Sequence, residues 1–347
     1  MSKKFLVIMS VLLIAVFALS ACAKPAETAK FKACMVTDTG GIDDKSFNAT
    51  GWKGVTDAMA QFDIDGKYLE SKEIADFEKN INAFIAEKCD IIITVGFLLG
   101  DATQAAAIAN PEQKFSIIDY GYAEVMPNVV SQSYQTDEAA FLAGYLSAGV
   151  TKTGKVGTFG GMNIPTVSIF MDGYARGVAY YNEVHGTAVE TLGWDVNTKE
   201  GLFTNDFSDQ QKGAEMAISL MDEGADIIVP VAGPVGLGSA AAIKDRGNAY
   251  LIGVDYDWFV SAPEYGDIVL TSITKSMDLM TTNVIKSAMD GTFAGGPIVG
   301  NLENSGVGLA PFHNLESLVS AELAAELETV KADLLSGKIQ LNPDFKQ

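Results

Sequence analysis

A short acidic loop carries several of the side chains that could do chemistry. Residues 37–48, TDTGGIDDKSFN, place three aspartates, two glycines and an aromatic residue directly after an apolar run. The aspartates lack the alternate spacing and the twelfth-position glutamate of a calcium-binding loop, so a metal site is not expected. The glycines allow a sharp turn, and Asp43, Asp44 or Ser46 could cap a following helix. Phe47 stays unexplained, because the end of a strand is a poor place for a core residue.

The glycine-rich segments do not match phosphate-binding loops. GPVGLG (233–238) follows an apolar run and precedes a helical pattern, where such a turn would lie. It is not GxGxxG, no Lys-Ser/Thr pair follows it, and Pro234 removes one N–H donor. GKVGTFGG (154–161) fails the same tests, SITK (272–275) matches SxxK over only four residues, and no GxSxG elbow occurs. We therefore expect no catalytic centre and no cofactor.

The cysteines and histidines show no metal-binding spacing. Cys34 and Cys89 lie in or beside apolar runs and form no CxxC motif. This setting favours two buried thiols over a disulfide. His185 and His313 are far apart in the sequence, and both are expected at the surface or at helix caps. No metal centre is predicted.

The N-terminus predicts export. A basic start, MSKK, precedes an uncharged apolar run that is too short for a confident membrane span and fits a secretory signal. The run ends in LSAC (19–22), the lipobox pattern of bacterial lipoproteins; the alternative is an ordinary signal peptide with a chance cysteine. We expect a signal peptide over 1–21, lipidation at Cys22 and a flexible tether over 22–30. The protein would then sit on the bacterial cell membrane, facing the extracytoplasmic side.

The charge balance excludes some partners. The formal net charge is −20, and it becomes about −22 once Lys3 and Lys4 leave with the signal peptide. Nucleic acids and anionic lipid surfaces are bound by clustered Lys and Arg, which this chain lacks. The remaining length suffices for two domains.

Apolar strands alternate with helical patterns along the chain. DIIITVG (90–96) is almost continuously apolar, as expected for a strand covered on both faces. Such alternation predicts parallel sheets of the doubly wound type, with ligand sites at the carboxyl ends of strands. Other strands are expected at 31–36, 67–70, 114–119, 154–161, 226–233 and 250–255. Helices are expected over 46–62 and about 166–184. A further helix is expected from residue 74, and its periodicity places on one face Ile74, Phe77, Ile81, Phe84 and Ile85.

One helix–strand–helix–strand unit occurs twice. Residues 82–120 overlie residues 218–256 without gaps at a separation of 136 positions. Asp119 then matches Asp255, and a tyrosine follows each of them. Chance similarity of two such units is the alternative, but the length of the match favours a real repeat. Two lobes of similar topology are therefore predicted, each with an aspartate at the end of an equivalent strand.

The chain resembles a known family over nearly its whole mature length. It is similar to the basic membrane protein family of bacterial substrate-binding lipoproteins, whose characterised members include purine nucleoside receptors of ABC importers. The resemblance implies an α/β, type I periplasmic-binding-protein fold, with two doubly wound parallel-sheet lobes joined by three crossovers and closing on a solute. The motifs that carry it are DTGGIDDKSFN (38–48), VGFLLGDA (95–102), KFSIID (114–119), EAAFLAGYLSAGVTKTGKVGTFGG (138–161), FMDGYARGV (170–178), AGPVGLG (232–238), IGVDYD (252–257) and LTSITKSMD (270–278).

The resemblance also implies roles for single residues at the purine. Phe47 and Phe207 would stack on the two faces of the base, and Asp119 and Asn48 would hydrogen-bond it. Base–aromatic stacking contributes roughly 1–3 kcal/mol per base. Phe207 could instead be a core residue of the second lobe.

The ribose would be held by charged groups. The resemblance assigns its hydroxyls to Asp255, Lys275 and Asp38, together with backbone N–H groups near Gly233. A carboxylate can accept two hydroxyl hydrogens of a cis-diol, and hydrogen bonds to charged groups are stronger than neutral ones. Asp255 could instead cap a loop, and Lys275 could be a surface charge.

The resemblance implies lobe 1 over 31–148 and 258–300, and lobe 2 over 149–257 and 301–347. The implied protein is a monomeric, non-enzymatic receptor for nucleosides of the inosine, guanosine and adenosine class, partnered with an ABC permease. Alternatives are the same fold binding a sugar or another small solute, a surface antigen or adhesin without a transport role, and a nucleosidase. Trp258 departs from the family's usual Gln, which we expect to change the rim of the cleft.

Overall fold

The computed structural model describes residues 30–341. The expected signal peptide (1–21), Cys22 and all but the last residue of the expected tether lie outside the described residues. The described residues from Lys32 onward form one compact unit that contains two six-stranded sheets. Each sheet, with the helices packed on it, is called a lobe below.

The sheet of the first lobe is entirely parallel. Its strand order is β11-β5-β4-β3-β1-β2. The central strands are continuous apolar runs because helices cover both faces of the sheet. The strands are β1 (Lys32–Val36), β2 (Asp65–Leu69), β3 (Ile91–Val95), β4 (Lys114–Ile118), β5 (Val129–Tyr134) and β11 (Gly296–Gly300).

The sheet of the second lobe repeats this order. It runs β12-β10-β9-β8-β6-β7, and only its edge strand β12 is antiparallel. The two-lobed arrangement predicted from the internal repeat is thereby confirmed. The strands are β6 (Lys155–Gly160), β7 (Glu190–Leu192), β8 (Ile227–Val231), β9 (Tyr250–Asp255), β10 (Val269–Lys275) and β12 (Val307–Leu309).

Paired helices cover the sheets. In the first lobe α1 packs with α9 and α2 with α3, and in the second lobe α4 packs with α5 and α6 with α7. The helices are α1 (Phe47–Phe62), α2 (Asp76–Ala86), α3 (Gly100–Ala109), α4 (Thr136–Val150), α5 (Pro165–His185), α6 (Gln210–Asp222), α7 (Val235–Arg246), α8 (Trp258–Ser261), α9 (Met277–Asp290) and α10 (Ala321–Leu335), with single 3₁₀ turns at Phe97–Leu99, Pro263–Tyr265 and His313–Leu318.

The predicted apolar face of α2 is confirmed except at its first residue. Phe77, Ile81 and Phe84 are buried in the core between α2, α3 and the first sheet, with Ile85 packed against them. Ile74, expected on the same face, is 62 % exposed. The helix begins only at Asp76, so Ile74 lies in the preceding turn and cannot share the face.

The chain crosses between the lobes three times, and two crossings differ from the expected boundaries. The first follows β5, because α4 packs against α5 and not against the first sheet. The second follows β10, which is a strand of the second sheet although residues 258–300 were expected in lobe 1. The third follows β11, which ends at Gly300. The repeat ends near residue 256, so it gave no sign that the second sheet gains one more strand, β10.

The crossovers form one hydrogen-bonded hinge. The Gln135 N–H donates to the carbonyl oxygen of Gly300 at 2.8 Å, and the Ser276 N–H donates to Gly306 at 2.9 Å. The Leu302 N–H donates to a Glu138 carboxylate oxygen at 2.7 Å. Rotation of one lobe against the other therefore involves all three segments together.

The expectation of two free buried thiols is wrong. Cys34 on β1 and Cys89, just before β3, form a disulfide with their Cα atoms 6.0 Å apart. The two strands are neighbours in the first sheet, which brings the cysteines together. Their separation in the sequence and the apolar setting did not show this adjacency. A disulfide fits the exported location that the N-terminus predicts.

Reduction of this disulfide should destabilise the protein. The bond joins residues 55 positions apart in the sequence. The chain-entropy relation for a loop of this length then predicts that reduction lowers the free energy of unfolding by about 4 kcal/mol. Urea unfolding followed by circular dichroism, with and without dithiothreitol, measures the difference. A Cys34→Ala/Cys89→Ala variant should unfold at the reduced protein's urea midpoint and show no response to dithiothreitol. An oxidised protein no more stable than the variant would contradict the prediction.

Candidate functional site

A cavity lies at the carboxyl ends of the strands, between the two lobes. It encloses about 590 Å³ of empty space, its mouth included, which is within the usual range for small-molecule sites. Residues of both lobes line it. The structure brings all eight sequence-predicted ligand residues to this cavity: Asp38, Phe47, Asn48, Asp119, Phe207, Gly233, Asp255 and Lys275.

The two strand-end aspartates have the same unusual backbone conformation. Asp119 follows β4 with a φ of 63°, and Asp255 ends β9 with a φ of 71°. Aspartate is one of the few residues other than glycine that adopt this left-handed region readily. Equivalent positions of the internal repeat thus place one buried carboxylate from each lobe at the cavity.

Lys275 joins these two carboxylates. Its Nζ lies 2.6 Å from Asp119 Oδ2 and 3.1 Å from Asp255 Oδ1, and the lysine side chain is 2 % exposed. The ammonium also lies 4.7 Å from the centre of the Phe47 ring, a cation–π contact. Burial alone would lower the pKa of Lys275, but the carboxylates of Asp119 and Asp255 raise it above its ordinary value. The lysine is therefore charged, and it links the second lobe to Asp119 of the first.

Two hydrogen bonds join Asn48 and Asp38. Asp38 Oδ1 accepts hydrogen bonds from Asn48 Nδ2 at 2.7 Å and from the Gly40 N–H at 2.9 Å. Asn48 Nδ2 also donates to Asp44 at 3.1 Å, and Asn48 Oδ1 accepts from the Asp38 N–H at 3.2 Å. Both amide hydrogens of Asn48 are thus engaged by protein. In this state Asn48 positions Asp38 and offers an incoming ligand only its carbonyl oxygen.

Asp44 is the residue that caps α1. Its carboxylate accepts from the N–H groups of Ser46 (3.0 Å), Asn48 (2.7 Å) and Ala49 (3.0 Å). The prediction that one of Asp43, Asp44 and Ser46 caps this helix is confirmed for Asp44. Burial raises the pKa of Asp44 to about 7, although the backbone N–H donors oppose the shift. Asp43 is exposed.

The two phenylalanines reach the cavity from different lobes. Phe47 is the first residue of α1 in the first lobe, and Phe207 lies in the loop before α6 in the second. Phe207 packs over Gly161, where a Cβ atom would come within 2.2 Å of its ring. Phe207 is partly buried and lines the cavity, which favours the ligand role over the alternative of a core residue.

One wall of the cavity was not predicted. Ile164, Thr166, Val167 and Phe170, at the start of α5, line it from the second lobe. The pattern around Phe170 is that of an ordinary buried helix, and its ring is indeed 2 % exposed. Helical periodicity cannot tell a core position from a cavity wall, so the pattern did not mark this segment as part of the site, although Phe170 begins the FMDGYARGV motif (170–178).

The expectation that Trp258 alters the cleft rim is wrong. Its side chain is fully buried in the core of the second lobe, and its indole N–H donates to the Val254 carbonyl at 3.0 Å. A Cβ on Gly236 would approach the ring to 2.9 Å. Trp258 therefore packs against the first turn of α7 at Gly236 and does not line the cavity.

The cavity carries more negative than positive charge. Four carboxyl groups (Asp38, Asp44, Asp119 and Asp255) and one ammonium (Lys275) line it. Burial raises the pKa of Asp38, with hydrogen bonds from Asn48 and Gly40 opposing it. Burial also raises the pKa of Asp119 and outweighs the neighbouring Lys275. The site favours a ligand that donates hydrogen bonds, and it disfavours an anion.

Solute affinity should consequently decrease at mildly acidic pH. An exposed aspartate titrates at about pH 3.9. Asp38 and Asp119 take up protons at higher pH, because burial raises their pKa values. Each proton removes a negative charge and an acceptor that the ligand would use, so the affinity falls as the pH falls toward these pKa values. Titration calorimetry over a pH series, in buffers of different ionisation enthalpy, measures both the affinity and the protons released. Constant affinity with no proton release would contradict the prediction.

Residues 30–341 contain neither a metal-type cluster nor a membrane-spanning helix. Within that range no group of three or more His, Cys, Asp or Glu side chains is arranged to hold a metal ion. None of the helices there is both long and apolar enough to span a membrane.

Comparison with known sequences decides the family. Residues 31–343 match the family described as "ABC transporter substrate-binding protein PnrA-like". This chain belongs to the PnrA-like family of ABC transporter substrate-binding proteins. Members of such a family bind a small solute without chemical change and work with a membrane permease.

Curated relatives cover most of the chain. The CD4+ T-cell-stimulating antigen of Listeria monocytogenes is 31 % identical over 329 residues, which span 90 % of this chain and 88 % of the relative. The ABC transporter nucleoside-binding protein BmpA of Lactococcus lactis is 30 % identical over 326 residues, 89 % of this chain and 88 % of that protein. The PnrA-like family thus includes a relative whose name states nucleoside binding.

A solved structure agrees with the architecture. The crystal structure of an ABC transporter solute-binding protein from Aeropyrum pernix superposes with a TM-score of 0.81 at 27 % identity, covering 89 % of this chain and 92 % of that one. The expected type I periplasmic-binding-protein fold is confirmed.

Proposed function

We propose that this protein is a lipid-anchored extracytoplasmic receptor that captures a purine nucleoside and delivers it to an ABC permease. The observation that carries the proposal is the interlobe cavity, which combines an aromatic ring from each lobe with a Lys275-linked pair of carboxylates. The named nucleoside-binding relative supports the same assignment. The receptor would act as a monomer, with no chemical step.

The aromatic groups account for the base. A flat, apolar ring system placed between Phe47 and Phe207 would contact one side chain of each lobe, so binding the base would also bring the lobes together. Stacking of this kind depends little on which purine is present. Asp119 supplies an acceptor for the N–H groups of the base.

The charged groups account for the sugar. Asp255 has a second lone pair on each oxygen for hydroxyl hydrogens, and Lys275 can donate to a hydroxyl oxygen while it keeps its carboxylate contacts. Asp38 has one carboxylate oxygen that accepts neither the Gly40 nor the Asn48 hydrogen bond. A cis-diol suits this set, because it offers two donors side by side.

The same charges exclude phosphorylated nucleosides. A phosphate would bring about two negative charges into a cavity that is lined by four carboxyl groups and one ammonium. We therefore assign the neutral nucleosides inosine, guanosine and adenosine as the solute class.

Anchoring through Cys22 follows from the LSAC motif at residues 19–22 and would leave the receptor beside its permease.

Thermal melting with a panel of solutes tests the proposal. A ligand that binds only the folded protein raises its stability by about 2.7 kcal/mol at 100 times the dissociation constant. We expect a clear upward shift with nucleosides, a smaller one with free purines or ribose, and none with nucleoside 5′-monophosphates. A larger shift with a sugar than with any nucleoside would favour another solute, and no shift with any nucleoside would refute the nucleoside assignment. Product analysis after incubation separates a receptor from a nucleosidase, and mass spectrometry of a co-purifying molecule identifies the natural solute.

A further inference from the structure

Ser46 reaches across the cleft. It lies in the first lobe, immediately before α1, and its side chain is fully buried. Its Oγ is 2.9 Å from the carbonyl oxygen of Val254 and 2.9 Å from Asp255 Oδ2, both in the second lobe. The hydroxyl has one hydrogen, which these two acceptors share. Ser46 is therefore an interlobe donor, and its side chain is not among those that line the cavity.

The surrounding loop leaves this hydroxyl free for the other lobe. A serine directly before a helix commonly caps it with its own side chain, but here Asp44 accepts the N–H groups of α1. The carbonyl oxygen of Ser46 accepts from the Thr50 N–H at 3.0 Å and from the Thr50 hydroxyl at 2.5 Å, which fixes the Ser46 backbone on the first turn. The hydroxyl is thus held rigidly at the lobe boundary without a capping role.

The arrangement is reciprocal between the lobes. Asp255 of the second lobe accepts from Ser46 of the first, and Asp119 of the first lobe accepts from Lys275 of the second. Each strand-end aspartate of the internal repeat is thus bonded by a side chain from the opposite lobe. Separation of the lobes would break both bonds.

We propose that Ser46 is a positioning residue that stabilises the closed cleft and orients Asp255 within it, so that it sets the affinity for every solute by a common factor. The inference rests on the proposed function only for the choice of nucleosides as probes. In the open state water can hydrate Asp255 Oδ2 and the Val254 carbonyl. In the closed state both are buried. The Val254 carbonyl then keeps donors from its own lobe, the Trp258 indole N–H and the Tyr256 N–H, whereas Asp255 Oδ2 accepts from the Ser46 hydroxyl across the cleft.

Loss of the hydroxyl should therefore penalise the closed state alone. A buried acceptor left without its donor is costly, most of all when it is charged. Because the apparent affinity scales with the population of the closing-competent state, we expect Ser46→Ala to raise the dissociation constant roughly 5- to 30-fold. The factor should be the same for inosine, guanosine and adenosine, since Ser46 acts on closure and not on the base.

A matched control separates this role from simple packing. Ser239 is equally buried, but its hydroxyl donates to the Gly213 carbonyl at 2.8 Å within the second lobe. Ser239→Ala thus deletes a comparable hydrogen bond that does not cross the cleft. Both variants should melt at a lower temperature than the wild type, but only Ser46→Ala should change affinity.

The experiment combines titration calorimetry with small-angle X-ray scattering of the unliganded proteins. We expect Ser46→Ala to raise the dissociation constants of all three nucleosides by the same factor and to speed their dissociation. It should also raise the radius of gyration of the unliganded protein. Ser239→Ala should change none of these quantities. Equal dissociation constants and equal radii for Ser46→Ala and wild type would overturn the inference, as would a loss confined to one nucleoside. If the wild type binds no nucleoside, the proposed function fails, and the scattering comparison still decides the role of Ser46.

Discussion

Replacing Lys275 by methionine should abolish detectable solute binding and lower the free energy of unfolding by about 3–5 kcal/mol. Methionine keeps much of the chain length but removes the ammonium that lies 2.6 Å from Asp119 and 3.1 Å from Asp255. Two buried carboxylates from opposite lobes would then face each other without a cation. Urea unfolding gives the stability, and calorimetry with inosine gives the affinity.

A surface lysine provides the control for Lys275→Met. Lys53 also contacts two carboxylates, Asp57 at 2.5 Å and Asp278 at 3.1 Å, but its side chain is 41 % exposed. Exposed ion pairs contribute at most about 1 kcal/mol, so Lys53→Met should leave binding intact and stability nearly unchanged. Adding Asp119→Asn to Lys275→Met should restore part of the stability without restoring binding. Equal effects of the two lysine substitutions would show that Lys275 has no special role.

Removing the two aromatic rings should have the next largest effect. We expect Phe47→Ala and Phe207→Ala each to weaken nucleoside binding about 5- to 150-fold, which corresponds to roughly 1–3 kcal/mol of stacking per ring. The double variant should show no saturable binding at millimolar nucleoside. Binding of ribose alone, if measurable, should change little, because neither ring would contact the sugar. Calorimetry with inosine and ribose measures both.

Phe259 is the matched aromatic control. It lies outside the cavity and stacks on His313 with ring centres 4.0 Å apart. Phe259→Ala should preserve nucleoside affinity. If Phe207→Ala behaves like Phe259→Ala while Phe47→Ala does not, the base is held from the first lobe only, and Phe207 has another role.

Much of the fold followed from local patterns and from the internal repeat. Strands such as β3 and β9 are short, almost continuously apolar runs, so their position along the chain was visible in hydropathy alone. The repeat added what local patterns cannot give, namely that Asp119 and Asp255 occupy equivalent strand ends. Both indeed have the same left-handed backbone conformation.

The parts that were missed depend on which segments become neighbours. The Cys34–Cys89 disulfide follows from the adjacency of β1 and β3, and strand order is not a local property. β10 was placed in the wrong lobe for the same reason. Sheet membership is decided by packing across the whole chain.

The site residues show a similar division. The resemblance to a known family pointed to Phe47 and Lys275, whose residue types alone are ambiguous. Phe170 was missed because a cavity wall and a core face share one helical pattern. Ser46 was taken as a possible helix cap, and the distinction required the competing Asp44 contacts and an acceptor 209 residues away.

The three crossovers also determine how the molecule can be divided. The chain enters the second lobe after β5, returns to the first after β10 and leaves it again after β11, so neither lobe is a continuous piece of sequence. No truncation at either terminus can yield one intact lobe as a fragment. A single proteolytic cut in one crossover would leave the lobes tethered by the other two, and the nicked receptor would still be one particle.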